Sequence, residues 1–382
     1  MPSHRSTLIT KNLFSSCLRA FVPPCLLLLA ACTDAPPPAS RNVALPARTT
    51  PRVDPVISSE TWTYNGKPGK NIRTANYTIY TTQASSIIAA RMPTFVEAAL
   101  QNYTSSLGLL PPPPGQLETF IMSTRGEWER LTKQLMGDQA SIYLQIQRGG
   151  YAAGGRGIYY DIGPSDTFSI ASHEGWHQYT QRTFREGLPT WLEEGIATYM
   201  EGHRWEGATP RFLAWSNTER FDQLRSASAK GGLLSLQEIM NTSPQELLAG
   251  GGPMPATPTK ESGGGGLFVR AVGSAEDRLL TYYAQIWALV HFLNEAEGGK
   301  YRPLLESLVS DAANGRLRAK LAGSIGEQAA RSAVMTRRGP AVMLAYFGGD
   351  LGALSMEYSS FIGRIVRPGS RGLIVEGRSP IE

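Results

Sequence analysis

His173-Glu174-Gly175-Trp176-His177 is the stretch on which the reading of this chain turns. Two histidines four residues apart lie on one face of a helix, so both rings can reach a single ion. Glu174 sits about 100° around the helix from His173, close enough to flank such an ion without ligating it. The pattern predicts a helix over 167–183. A second helix is expected over 189–201, with Pro189 suited to its first turn. It reads Trp191-Leu192-Glu193-Glu194-Gly195-Ile196-Ala197-Thr198-Tyr199-Met200-Glu201.

A catalytic metal site needs three protein ligands and one position left open for water. His203 and His291 are candidates for the third ligand by residue type, but a carboxylate fits better. Periodicity alone does not choose between Glu193 and Glu194. Glu201 follows Glu194 by seven residues and so shares its helical face. Metal-bound histidines usually donate their second ring N–H to an outer acceptor, and Glu201 is a candidate for that place. His203 and His291 have simpler readings, as a surface residue and as a packed or half-exposed one.

Upstream, residues 76–81 (NYTIYT) alternate and are rich in β-branched and aromatic side chains, which predicts a strand. Helices are expected over 85–106, bent at Pro93, and over 124–135, with Glu127 three residues after a Thr124 cap. Further strands are expected over 117–122, 141–147 and 157–161, the last at a sheet edge. Residues 149–157 are glycine-rich and read as loose. They are not a nucleotide fingerprint, because no helix opens from them within a βαβ unit. Downstream the pattern is helical: 235–240, 275–295, 302–313 and 341–365. Residues 249–266, rich in Gly, Pro and Thr, read as a mobile loop.

The first 31 residues read as a targeting segment. Arg5, Lys11 and Arg19 make a basic start, and 21–31 is an apolar run too short to span a bilayer. Losing those three charges takes the net +5 of the whole chain to +2. That is near neutral, and it offers no basic stripe for nucleic acid. Residues 32–58, with Pro36-Pro37-Pro38, read as an extended tether. Of the three cysteines, Cys17 and Cys25 lie in the leader, so the remainder holds only Cys32 and no internal disulfide.

Two resemblances add to this. Leu29-Ala30-Ala31-Cys32 resembles a bacterial lipobox. It implies cleavage before Cys32, diacylglycerol on its thiol, and export to the cell envelope. Thr33, where an Asp would retain the protein at the inner membrane, favours the outer membrane facing the periplasm. The pair His-Glu-x-x-His and Trp-Leu-x-Glu-Gly-x-x-x-Tyr-x-Glu resembles the gluzincin zinc metallopeptidases, such as the aminopeptidase-N family, at every fixed position. The order of elements over about 70–365 is similar to that of bacterial peptidase-MA-like proteins.

This resemblance implies one zinc per chain on His173, His177 and Glu194, with Glu174 as general base and Glu201 behind a ligand histidine. Aligning Trp287-Ala288-Leu289-Val290 with the family's later helix makes Tyr283 the donor to the oxyanion. The implied fold is α+β, a thermolysin-like zincin. A small mixed-sheet subdomain would span 59–205 and a mainly helical one 206–366, followed by a tail, 367–382. The implied activity is hydrolysis of a peptide or protein substrate. The strand 157–161 would pair with an extended substrate backbone. The family's amine-holding Gly-x-Met-Glu-Asn motif has no counterpart before His173, which favours internal cleavage over aminopeptidase action. Other readings are a zinc-stabilised envelope scaffold without turnover, and a zinc amidase acting on cell-wall peptides. A structural site, however, needs no base such as Glu174 and usually closes with a fourth protein ligand.

Overall fold

The computed structural model describes residues 54–83, 86–248 and 275–381, all within one compact unit, Val53–Glu382. The leader, Cys32, the tether up to residue 53 and the 249–266 stretch lie outside the described residues.

A six-stranded mixed sheet, in the order β1-β2-β3-β4-β6-β5, forms the N-terminal half. Strands β1 (Ser58–Tyr64) and β2 (Lys67–Arg73) are antiparallel. They turn at Asn65-Gly66, whose φ angles of 47° and 77° match the right-handed twist of a two-residue hairpin. β3 (Tyr77–Thr81) lies antiparallel to β2. Helix α1 (Ile87–Ser105) carries the chain to β4 (Leu117–Met122), parallel to β3. After α2 (Arg125–Met136) and the short α3 (Ala140–Tyr143), strands β5 (Gly150–Ala153) and β6 (Arg156–Tyr160) form a hairpin. β6 is parallel to β4, which leaves β5 outermost.

Strand alternation sorts the side chains between two cores. Tyr77, Ile79, Leu117, Ile121 and Tyr159 join α1 and the helices beyond it. Met122, Ile158 and Tyr160 join Trp128 and Leu131 of α2 on the other face.

The chain then forms α4 (Pro164–Thr183) and α5 (Thr190–Met200), followed by a hairpin of β7 (His203–Glu206) and β8 (Thr209–Phe212). Helices α6 (Thr218–Ala229), α7 (Leu236–Asn241) and α8 (Pro244–Leu248) follow. Ser235 and Glu238 close a capping box on α7. In α9 (Ala275–Gly299) the helical backbone breaks at Ala296, Glu297 and Gly298. The last six are α10 (Arg302–Asn314), α11 (Leu317–Ile325), α12 (Glu327–Thr336), α13 (Ala341–Phe347), α14 (Leu351–Ile365) and α15 (Ser370–Glu376). The fold is thus α+β, with a mixed N-terminal sheet and a helical C-terminal region.

α5 lies against α9 at close quarters. A Cβ on Gly195 would stand 3.0 Å from both the Ile286 carbonyl oxygen and Val290 Cγ2. Glycine is the residue that lets these two backbones approach so closely.

Several expectations change. The segment 141–147 is not a strand. Tyr143, Leu144 and Ile146 pack on the α2 core while Ile142 points outward, with β6 already flanked on both sides. The glycine-rich stretch 149–157 is not loose, because it forms β5 and its turn into β6. The strand near 157–161 is therefore internal, and β5 is the edge. The helix expected over 341–365 is broken at Gly348, with φ 124°. Asp350 then caps α14, its carboxylate accepting from Gly352 N and Ala353 N. The tail beyond 367 is folded: Ile374 of α15 is fully buried, and Ser379 Oγ donates to Glu295.

Candidate metal centre

The centre is built on α4 and α5. α4 is buried around much of its circumference, with Phe168, Ala171, Trp176 and Tyr179 in the core. Gly175 has no room for a side chain: a Cβ there would meet Tyr103 Oη at 2.6 Å. That hydroxyl donates to the Ser172 carbonyl and fixes the helix next to His173. Trp191, Leu192 and Ile196 bury α5 beside it.

Three ligand atoms converge. His173 Nε2 and His177 Nε2 stand 3.3 Å apart. Glu194 Oε2 is 3.6 Å from the first and 3.7 Å from the second. Two atoms each about 2.1 Å from a tetrahedral divalent ion stand about 3.4 Å apart. The triangle fits that requirement, and the group can hold a metal ion. His173, His177 and Glu194 are the one such cluster among the described residues.

Each histidine turns its other ring nitrogen to a glutamate, which fixes ring orientation and leaves Nε2 free to ligate. His173 Nδ1 is 2.9 Å from Glu201 Oε1. His177 Nδ1 is 3.1 Å from Glu193 Oε1. Glu201 also accepts from Asn217 Nδ2 at 2.6 Å and from an Arg220 guanidinium nitrogen at 3.1 Å. Glu193 accepts from Thr180 Oγ1 at 2.7 Å, with Arg337 at 3.9 Å.

The electrostatics follow from this packing of opposite charges. Burial alone would lower the His173 pKa, but Glu194 and Glu201 outweigh it and lift it to about 9. Burial likewise opposes charge on His177, which Glu194 and Glu193 nonetheless hold well above its ordinary value. The converse holds for the acids. Burial would raise Glu201, yet Arg220 and His173 hold it at about 2. Glu194 is held low against burial by His177 and His173. Glu174 differs. Burial pushes its carboxyl above the usual range, and the opposing histidines and the Ala152 backbone N–H of β5 only partly counter that. A carboxyl lifted in this way is a better proton acceptor than an ordinary carboxylate.

Tyr283 of α9 reaches the same place. Its ring is edge-on to His173, with centroids 6.2 Å apart, and the Arg220 guanidinium lies 5.2 Å from its centroid. Burial, then Glu194, push its phenol well above 10, so it stays a donor.

Of the alternatives for a third ligand, neither histidine takes part. His203 is partly buried rather than on the surface. It packs edge-on against Phe95 at 4.9 Å, with its Nδ1 on the Glu201 carbonyl. His291 is fully buried, stacked on Trp215 at 3.6 Å and paired with Glu295. Sequence reasoning missed Glu193 as the partner of His177, and missed Asn217 and Arg220 altogether. The doublet Glu193-Glu194 was the available signal, since adjacent helical residues point about 100° apart and so serve different atoms of one site.

No family model matches the chain, and no curated protein matches it.

Proposed function

We propose that this chain is a zinc-dependent peptide-bond hydrolase of gluzincin type, carried on a thermolysin-like fold. The observation that carries the reading is the pairing of a three-atom ligand triangle with a half-buried carboxyl of raised pKa one residue after the first ligand. A set of two imidazoles and one carboxylate suits zinc and leaves one coordination position open, as in catalytic sites. Zinc held there would supply Lewis acidity, lowering the pKa of water and polarising a carbonyl. Glu174 Oε takes a proton from the attacking water and delivers it to the leaving amine. Tyr283 Oη donates to the developing oxyanion. Glu201 and Glu193 keep the two imidazoles in the tautomer that presents Nε2. β5, as the sheet edge next to Glu174, would be the strand that pairs with an extended substrate, a role the sequence had suggested for 157–161.

Cleavage at internal bonds suits the acids upstream of α4. No glutamate lies between Leu131 and Ser172. Asp161 is engaged by Gln83 Nε2 at 2.7 Å and by Gly163 N at 2.8 Å, and Asp166 is paired with Arg148. Neither of these aspartates is free to hold a buried amine, which needs a carboxylate partner. The leader and Cys32 complete the proposal: the enzyme works from a lipid anchor in a bacterial envelope.

The test is mass spectrometry of matched N-acetylated and free peptides after incubation with purified protein, with and without chelator. Chelator-sensitive cleavage at internal bonds, equal or better for acetylated peptides, is expected. Stepwise N-terminal trimming blocked by acetylation would make it an aminopeptidase, and absence of any cleavage would favour the scaffold reading.

A further inference from the structure

A largely buried cation beside the centre is one that the hydrolytic steps do not use. Arg220, in the first turn of α6, has a side chain only 14% exposed. One terminal nitrogen donates to Glu201 Oε1 at 3.1 Å, and the other donates to Gln223 Oε1 at 3.1 Å. Its Nε is buried without a partner. An orphaned buried donor is costly, so this position is set by what the rest of the guanidinium does. It does two things. It shares Glu201 Oε1 with His173 Nδ1, and it faces the ring of Tyr283 at 5.2 Å. Asn217, the cap of α6, holds the other Glu201 oxygen. The start of α6 thus grips the glutamate from both sides.

We infer that Arg220 is a positioning residue that ties the two halves of the centre together, orienting His173 through Glu201 and the Tyr283 ring through the guanidinium that lies over it. This rests on the proposed zinc site. Lysine can supply the charge that Glu201 requires, but its single ammonium cannot both bond Glu201 and lie over the Tyr283 ring, as the broad guanidinium does. The two roles are therefore separable by substitution.

The experiment measures zinc dissociation constants by chelator competition on the full chain and its variants, with peptide hydrolysis read alongside. Failure of the parent to bind zinc would dispose of the site reading itself, before Arg220 comes into question. With the parent loaded, Arg220→Met should weaken zinc by about 10–100-fold, as loss of an outer partner of a ligand does. Glu201→Gln should do the same, and the double variant should be no worse than the worse single one. Arg220→Lys should bind zinc within about threefold of the parent yet turn over about tenfold more slowly. In a Tyr283→Phe background, the lysine change should cost nothing further. Zinc affinity of Arg220→Met equal to the parent, or a fully additive double variant, overturns the tie to His173. Full turnover by Arg220→Lys overturns the tie to Tyr283. If Arg220→Met does not fold, Arg220→Gln takes its place in the zinc comparison, and Arg220→Lys still decides the tie to Tyr283.

Discussion

The two histidines of the candidate centre are held by two outer clusters that look alike in outline and differ in depth. On the His173 side, Glu201 is bound by Asn217 at 2.6 Å and by an Arg220 that is 14% exposed. On the His177 side, Glu193 is bound by Thr180 at 2.7 Å, and its arginine, Arg337, is 3.9 Å away and 40% exposed. Charge-assisted bonds strengthen as water is excluded, whereas an exposed pair at long range contributes little. The His173 side is therefore the fixed half of the centre and the His177 side the adjustable half. α4 and α5 contribute to both halves. The fixed half draws on α6, and the adjustable half on the end of α12.

The largest expected effect lies between the halves. Glu174→Gln keeps both imidazoles and Glu194 in place, so zinc should stay bound while hydrolysis falls by about 10²–10⁴-fold. A variant that cleaves as fast as its parent removes Glu174 from the mechanism.

Next comes the contrast itself. Glu201→Gln should weaken zinc towards the upper end of the about 10–100-fold range, and Glu193→Gln towards the lower end. Equal losses, or the reverse order, would break the distinction between a fixed and an adjustable half.

A pH effect follows from the same groups in the metal-free chain. His173, raised to about 9, contributes stability that is complete below about 6.5, its unfolded value, and is lost as pH rises through 9. Glu201, depressed to about 2, contributes stability that is present above about 4.3 and lost as pH falls through 2. Melting temperature without metal should thus be highest between about pH 4.5 and 6.5 and fall towards 9. Zinc demands neutral histidines, so the loaded protein should lose that alkaline decline. Identical pH profiles with and without zinc would argue that the ligand triangle does not bind the ion.

The smallest effect on the centre belongs to the C-terminal helix α15, which packs on α6 and supplies no group to the centre. Ile374→Ala removes a fully buried side chain from α15 and should cost about 2–5 kcal/mol of stability in denaturant titration. Zinc affinity should not change.

What the sequence made legible follows from distance along the chain. His173, Glu174 and His177 are fixed by the period of one helix, and Glu201 by the period of the next. Tyr283 was reached through resemblance, and α9 does bring it to His173. Arg220 and Asn217 were not legible, because only the fold, which brings the start of α6 to the end of α5, gives them Glu201. The first hairpin had its signal in Asn65-Gly66, but the strand sequence Lys67-Pro68-Gly69-Lys70 beside it is poor in β-formers and hid it. β5, as Gly150-Tyr151-Ala152-Ala153, was hidden in the same way. Conversely, Ile142, Leu144 and Ile146 alternate like a strand, yet β6 had no free edge to offer them.

The most direct test of the account is the zinc content of the protein. Purified chain, reconstituted with zinc and dialysed exhaustively, should carry about one zinc per chain by plasma mass spectrometry, as one three-ligand site requires. A value near zero in the parent would contradict the account.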